Sequence, residues 1–216
     1  MLSTHSLSHS FGKKRVLDRL DAQFPVGLTL LTGPSGAGKS TLLRILATAD
    51  RPDGGEVHWQ GERIDRTPRP YRAVVGYAPQ AVELPETLTG REFGAHVAAL
   101  KGLEARAADS QFAQILERMR LLPDIDRRIQ GWSGGMRRRL ITAQALLGEP
   151  QAIFLDEPTA ELDAESAAIT HELLIERASQ AVVVMTTHLA KDLLVHAAQV
   201  LRIEGGAATP VEPATA

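Results

Sequence analysis

The 216-residue chain has no cysteine. That excludes a disulfide framework, a thiolate metal site and a cysteine nucleophile. It has almost no net charge: 24 Lys and Arg against 26 Asp and Glu leave −2, so there is no electrostatic case for a nucleic-acid partner. Lysine is scarce among the basic residues. The longest strongly apolar run, Ala181-Val182-Val183-Val184-Met185, is far short of the roughly 20 residues a membrane-spanning helix needs. Met1-Leu2-Ser3-Thr4-His5 opens with no basic stretch before an apolar core, which speaks against secretion. No internal repeat is evident. With 44% hydrophobic and 23% charged residues, the composition is that of a globular domain with a sizeable core, expected in the cytoplasm.

What is present is an alternation of strand and helix patterns. Leu28–Leu31, Val57–Trp59, Val74–Tyr77, Ala152–Leu155, Ala181–Met185 and Val200–Ile203 read as strands, and the continuous apolar runs among them suit strands covered on both faces. Between them, Leu42, Leu43 and Leu46 suit a helix. Thr89 and Glu92 have the spacing of a capping box ahead of Phe93, Val97 and Leu100. Phe112, Ile115, Leu116 and Met119 form another stripe, a further helix opens near Ser133, and Asp163 can cap a helix carrying Ile169 and Leu173. The expected fold is α/β, a mostly parallel sheet flanked by helices. The middle of the chain reads as helix only, so a helical subdomain, roughly 83–147, is expected to be inserted in the core. From residue 205 to 216 the small residues and prolines predict a flexible tail.

Gly33-Pro34-Ser35-Gly36-Ala37-Gly38-Lys39-Ser40 follows an apolar strand and opens an apolar-periodic helix. It matches the phosphate-loop pattern in full. The glycines let successive N–H groups converge on one concavity, and the helix that continues through Thr41 adds its dipole. Lys39 suits the β- and γ-phosphates, and the Ser40 hydroxyl suits Mg²⁺. Such a loop implies a nucleoside triphosphate without naming the reaction. Ala152-Ile153-Phe154-Leu155 ends in Asp156-Glu157. At the end of a central strand, Asp156 can hold the hydration shell of Mg²⁺ and Glu157 can polarise a water for attack on the γ-phosphate.

Trp132-Ser133-Gly134-Gly135-Met136, followed by Arg137-Arg138-Arg139, supplies a second anion site: a hydroxyl, flexible N–H groups and a helix start. A lone phosphate loop does not need it. The pairing resembles the ATP-binding cassette (ABC) family, over about residues 1–204, and that family's signature motif aligns with Ser133, Gly134, Gly135 and Met136. Trp132 stands where the motif has leucine and Met136 where it has glutamine. The family's fold adds an N-terminal antiparallel β region to the P-loop core. The resemblance further implies that Phe11 stacks on adenine and that Gln80 senses Mg²⁺ and couples to the helical subdomain. It also implies that Asp163 lies in a loop at a dimer interface and that His188 contacts the γ-phosphate. Arg137–Arg139 read as a solvated helix face, with phosphate or interface contacts the alternative, and the histidines other than His188 as structural or surface residues. The implied protein is an ATPase using ATP and Mg²⁺. It would be a head-to-tail dimer, with itself or a related cassette, driving a separate membrane permease from the inner face of the cell membrane. A non-transport ABC ATPase acting on ribosomes, DNA or cluster assembly is the alternative.

Overall fold

A computed structural model describes residues 1–64, 68–81, 83–187 and 191–211. Its largest feature is a six-stranded sheet in which β10 (Ala207–Val211) is the first strand of the order β10-β9-β3-β8-β7-β6. Five of these strands are parallel: β3 (Gly27–Thr32), β6 (Val75–Ala78), β7 (Ala152–Asp156), β8 (Val182–Thr186) and β9 (Ala197–Glu204). Every residue of β7 and β8 is buried. Their side chains alternate between two cores. Ile153, Leu155, Val183 and Met185 join Leu28 and Leu30 against the helical side, while Ala152, Phe154, Val182 and Val184 join Leu31 on the other. This period-two division explains why both strands read as unbroken apolar runs.

The second core is closed by α1 (Lys39–Leu46) and by a four-stranded antiparallel sheet, order β2-β1-β4-β5. It is built from β1 (Leu2–Phe11), β2 (Lys14–Phe24), β4 (Gly54–Trp59) and β5 (Glu62–Arg63). A short α2 (Pro68–Arg72) leads into β6. These strands are the expected N-terminal antiparallel region.

The first core is closed by α6 (Ala164–Ala178), the short α7 (Lys191–Leu194) and the inserted helices. The insert begins with α3 (Gly90–Lys101), which carries the capping box: the Thr89 hydroxyl accepts from the Glu92 N–H, and the Glu92 carboxylate accepts from the Thr89 N–H. Next come α4 (Ala105–Arg118), capped by the Glu104 carboxylate, two 3-10 turns, and α5 (Gly134–Leu146). Trp132 is buried against the subdomain, its ring over Gly90. α5 also packs on β6. Gly76 permits this: a Cβ there would lie 1.8 Å from the Ala145 carbonyl oxygen, and the Gln144 amide donates to the Tyr77 carbonyl at 2.6 Å.

Two expectations fail. The tail is not flexible from residue 205, because Ala207–Val211 form β10, antiparallel to β9. Gly205 and Gly206, at φ 57° and 83°, supply the left-handed pair that a two-residue hairpin turn requires. The Gly206 carbonyl also accepts from the Asp18 N–H at 2.9 Å. Main-chain bonds suffice here, so small side chains do not prevent pairing. The rest of the expected tail, 212–216, lies outside the described residues. Nor are the three arginines a solvated face. Arg137 reaches Glu86 and the carbonyls of Gln130 and Trp132, Arg138 the Pro79 carbonyl, and Arg139 the Met119 carbonyl. They fasten α5 to the segments around it.

Candidate functional site

Strands β3, β8, β7 and β6 are neighbours, and all four end at one edge of the sheet. Ligands of open α/β sheets bind outside such carboxyl ends. The residues that follow these strands are therefore brought together by topology.

After β3 comes the Gly-rich loop. Gly33 (φ 128°) runs so close to β9 that a Cβ would sit 2.1 Å from the Ile203 carbonyl oxygen. Gly38 (φ 102°) is the N-cap of α1, and a Cβ there would lie 2.7 Å from the Val16 carbonyl oxygen. Pro34, Ser35 and Gly36 are exposed, Ala37 and Ser40 half-buried, and Thr41 buried. α1 has no side-chain cap and no acid in its first turn, so its first N–H groups and dipole stay available to an anion. The Lys39 ammonium folds over the loop and donates to the carbonyls of Gly33 (2.8 Å) and Pro34 (3.0 Å).

β7 ends in Asp156, only 4% exposed. Its Oδ1 accepts from the Thr186 hydroxyl at 2.7 Å. Among the described residues no cation pairs with this carboxylate. An ionised carboxylate so deeply buried is costly unless paired or metal-bound. Ser40, Gln80 and Asp156 follow or end strands at this one edge of the sheet, and their hydroxyl, amide and carboxylate oxygens are donors of the kind Mg²⁺ prefers, so their chemistry fits the ion. Burial first, and then the neighbouring Asp156, push the Tyr77 phenol up to about 12.

Glu157 has a left-handed backbone, φ 50°. For a residue with a Cβ this costs about 1–2 kcal/mol, and non-glycine strain of this kind collects at functional sites. Its N–H donates to the Thr186 hydroxyl at 2.8 Å, and its Oε2 accepts from Gln80 Nε2 at 3.1 Å. The structure thus joins Gln80, from the loop after β6, directly to the second acid of the pair.

Phe11 is 57% exposed at the β1–β2 turn, edge-on to His9. That hairpin adjoins the phosphate loop: a Cβ on Gly36 would meet the Lys14 ammonium at 3.8 Å. Ser133 caps α5, its hydroxyl accepting from the Met136 N–H at 3.2 Å. Ser133 and Gly134 are exposed, and Gly135 lies near Leu162. Asp163 caps α6, and hydrogen bonds from Ser166, N–H and hydroxyl, hold its carboxyl below the usual range. Among the described residues, Ser133–Met136 share no hydrogen bond or ion pair with loop 33–41. His188 lies outside the described residues.

Sequence reasoning missed Thr186, although it ends an apolar strand two residues before His188. Arg138, read from the sequence as part of a solvated face, instead links α5 to the Pro79 carbonyl beside Gln80.

Residues 17–160 match the family model described as ABC transporter. A daunorubicin resistance ATP-binding protein, DrrA3, of Streptomyces coeruleorubidus is 39% identical over 159 residues, 73% of this chain and 50% of that protein. Nod factor export ATP-binding protein I of Paraburkholderia xenovorans (strain LB400) is 36% identical, over 85% of this chain and 61% of that protein. The chain thus spans about half the length of the first of these relatives. The dimeric structure of a post-hydrolysis state of the ATP-binding cassette MJ0796 bound to ADP and Pi shares the fold, with TM-score 0.89 and 22% identity over the whole of both chains. Among the described residues no helix is long and apolar enough to cross a membrane. From the phosphate loop, the acidic pair and these likenesses together, the chain belongs to the ABC transporter family.

Proposed function

We propose that this chain binds and hydrolyses ATP as the cassette subunit of an ABC transporter, paired head to tail with a second cassette and driving a separate membrane permease from the cytoplasmic side. The observation that carries the reading is the division of anion sites. The loop Gly33–Ser40 and the acidic pair share one edge of the sheet, while the capped, exposed Ser133 N-terminus stands on the inserted subdomain and, among the described residues, has no bond to that loop. A second anion site turned outward suits a phosphate held by another copy. The relatives' names, drug resistance and Nod factor export, favour transport over a ribosomal or DNA role, and favour export.

In this reading the loop N–H groups and Lys39 hold the β- and γ-phosphates, Lys39 leaving the carbonyls of Gly33 and Pro34 to do so. Phe11 stacks on adenine. Ser40, Asp156 and Gln80 hold Mg²⁺, which supplies charge neutralisation at the phosphates when bound. Glu157 accepts a proton from the attacking water as its oxygen bonds to the γ-phosphorus and the bond to the ADP oxygen breaks. Gln80, already bonded to Glu157, transmits the state of the site through the 79–80 loop to Arg138 and α5. Asp163 belongs to the interface with the other copy, and His188 contacts the γ-phosphate.

Glu157→Gln tests the assignment. It keeps shape and hydrogen bonding but removes the base. ATP binding should persist, turnover should fall about 10²-fold or more, and size exclusion should show a dimer that depends on ATP. Parental turnover in the variant would remove Glu157 from the chemistry.

A further inference from the structure

We infer that Thr186 is a positioning residue that sets both members of the acidic pair through one hydroxyl, an inference that rests on the ATPase reading above. Asp156 and Thr186 are register partners on the parallel strands β7 and β8, so their side chains leave the sheet side by side. Thr186 is 1% exposed. Its branched Cβ is stiff about χ1, so the hydroxyl has little freedom to wander.

The hydrogen bonds fix the direction of the chain of contacts. The Glu157 N–H can only donate, so the Thr186 oxygen accepts it, at 2.8 Å. The single hydroxyl proton is then given to Asp156 Oδ1, at 2.7 Å, which requires that oxygen to be an acceptor. One side chain therefore does two things. It orients the Asp156 carboxylate and engages one of its oxygens, leaving Oδ2 without a bond among the described residues. It also anchors the left-handed turn at Glu157, φ 50°, from which the carboxylate meets Gln80 Nε2 at 3.1 Å. A strained backbone persists only where its surroundings over-determine it, and the bond to Thr186 is a direct restraint on that peptide. A threonine serving only to fill the core would not need its hydroxyl.

The test compares Thr186→Val, which keeps the shape and removes the hydroxyl, with Thr186→Ser, which keeps the hydroxyl. The first readout uses the nucleotide-free chain: amide hydrogen exchange at Glu157 should accelerate in Thr186→Val and stay parental in Thr186→Ser. The second titrates Mg²⁺ against binding of fluorescent ATP. Thr186→Val should need about 10-fold more Mg²⁺ for its half-effect, because supporting hydrogen bonds to metal-ligating groups are worth about 10–100-fold. The third is kinetic: kcat should fall by about 10–100-fold with KM for ATP little changed at saturating Mg²⁺, and Thr186→Ser should restore it. If Thr186→Val does not fold, Thr186→Ala carries the same expectations without added bulk. Parental Mg²⁺ dependence and kcat in a folded hydroxyl-free variant overturn the inference. So does equal failure of Thr186→Ser, which would put the role in the methyl group. Absence of Mg²⁺-dependent ATP binding in the parent chain would instead overturn the ATPase reading.

Discussion

Gly76→Ala probes how tightly the inserted subdomain is fixed to the core. The new Cβ would be placed 1.8 Å from the Ala145 carbonyl oxygen and 3.2 Å from the Pro150 ring, so the oxygen must retreat beyond 3.0 Å. It belongs to the last turn of α5 and cannot rotate away as a side chain could. Either α5 moves off β6 or the edge strand β6 bends. Overpacking of this kind costs about 1–3 kcal/mol, occasionally more. A backbone obstacle puts this site at the upper end, and separation also endangers the 2.6 Å bond from Gln144 to the Tyr77 carbonyl, worth about 1 kcal/mol. The gain from replacing a strand glycine is only about 0.5–1 kcal/mol. The net expectation is a loss of about 3 kcal/mol, or roughly 6–12 °C in Tm for a chain of this size. Gly94→Ala is the control. Its Cβ would lie 2.2 Å from Phe112 Cδ1, a side-chain atom that can shift without moving a helix backbone, so the loss should be smaller. Urea unfolding of the three chains measures this, with the midpoint shifted and the slope unchanged. A Gly76→Ala chain within about 0.5 kcal/mol of the parent, the range of an ordinary surface change, would refute the close approach of α5 to β6.

Two further outcomes follow from the insert. Thr89→Ala removes the hydroxyl that accepts from Glu92 and should cost about 1 kcal/mol, read as a lowered Tm; no change would mean that the capping box does not stabilise α3. Burial lowers the Lys101 ammonium to about 8, while it donates to the Leu147 carbonyl at 2.6 Å. The folded chain therefore releases this proton before the unfolded chain does. Below about pH 8 both hold it and the cost of burying the charge is present in full; between that pH and the ordinary lysine value of 10.5, stability rises with pH. Relative to Lys101→Met, the parent should gain about 1–3 kcal/mol across that window, measured by urea unfolding at several pH values. A difference that stays flat with pH refutes it.

Much of the site was legible because local chemistry dictates it. A loop with glycines at 33, 36 and 38 can take left-handed φ at each, and all three do. Thr89, Ser133 and Asp163 are caps because short polar side chains favour that position, and each caps the helix that follows it. Asp156 and Glu157 end an apolar strand, as their sequence suggested. What was not legible depends on partners distant in the chain. Nothing near Thr186 reveals that register pairs it with Asp156, and Arg137–Arg139 find carbonyls supplied by other segments. β10 escaped notice because its pairing uses main-chain bonds, which small residues neither advertise nor prevent.

The central claim is that each ATP is shared between two chains, and a mixture of two inactive variants tests it most directly. Ser133→Arg keeps its own phosphate loop but replaces a small cap at a helix N-terminus with a bulky cation, where the dipole disfavours positive charge. Lys39→Ala keeps its Ser133 cap but loses the charge facing the β- and γ-phosphates. In a Glu157→Gln background, neither should dimerise with ATP alone, as read by light scattering. Ser133→Arg should still bind fluorescent ATP, whereas Lys39→Ala should lose about 2–5 kcal/mol of binding. Mixed, they restore one composite site, and part of the ATP-driven association should return. If Ser133→Arg dimerises alone as well as the parent, or if the mixture shows no association beyond its components, the shared site is contradicted.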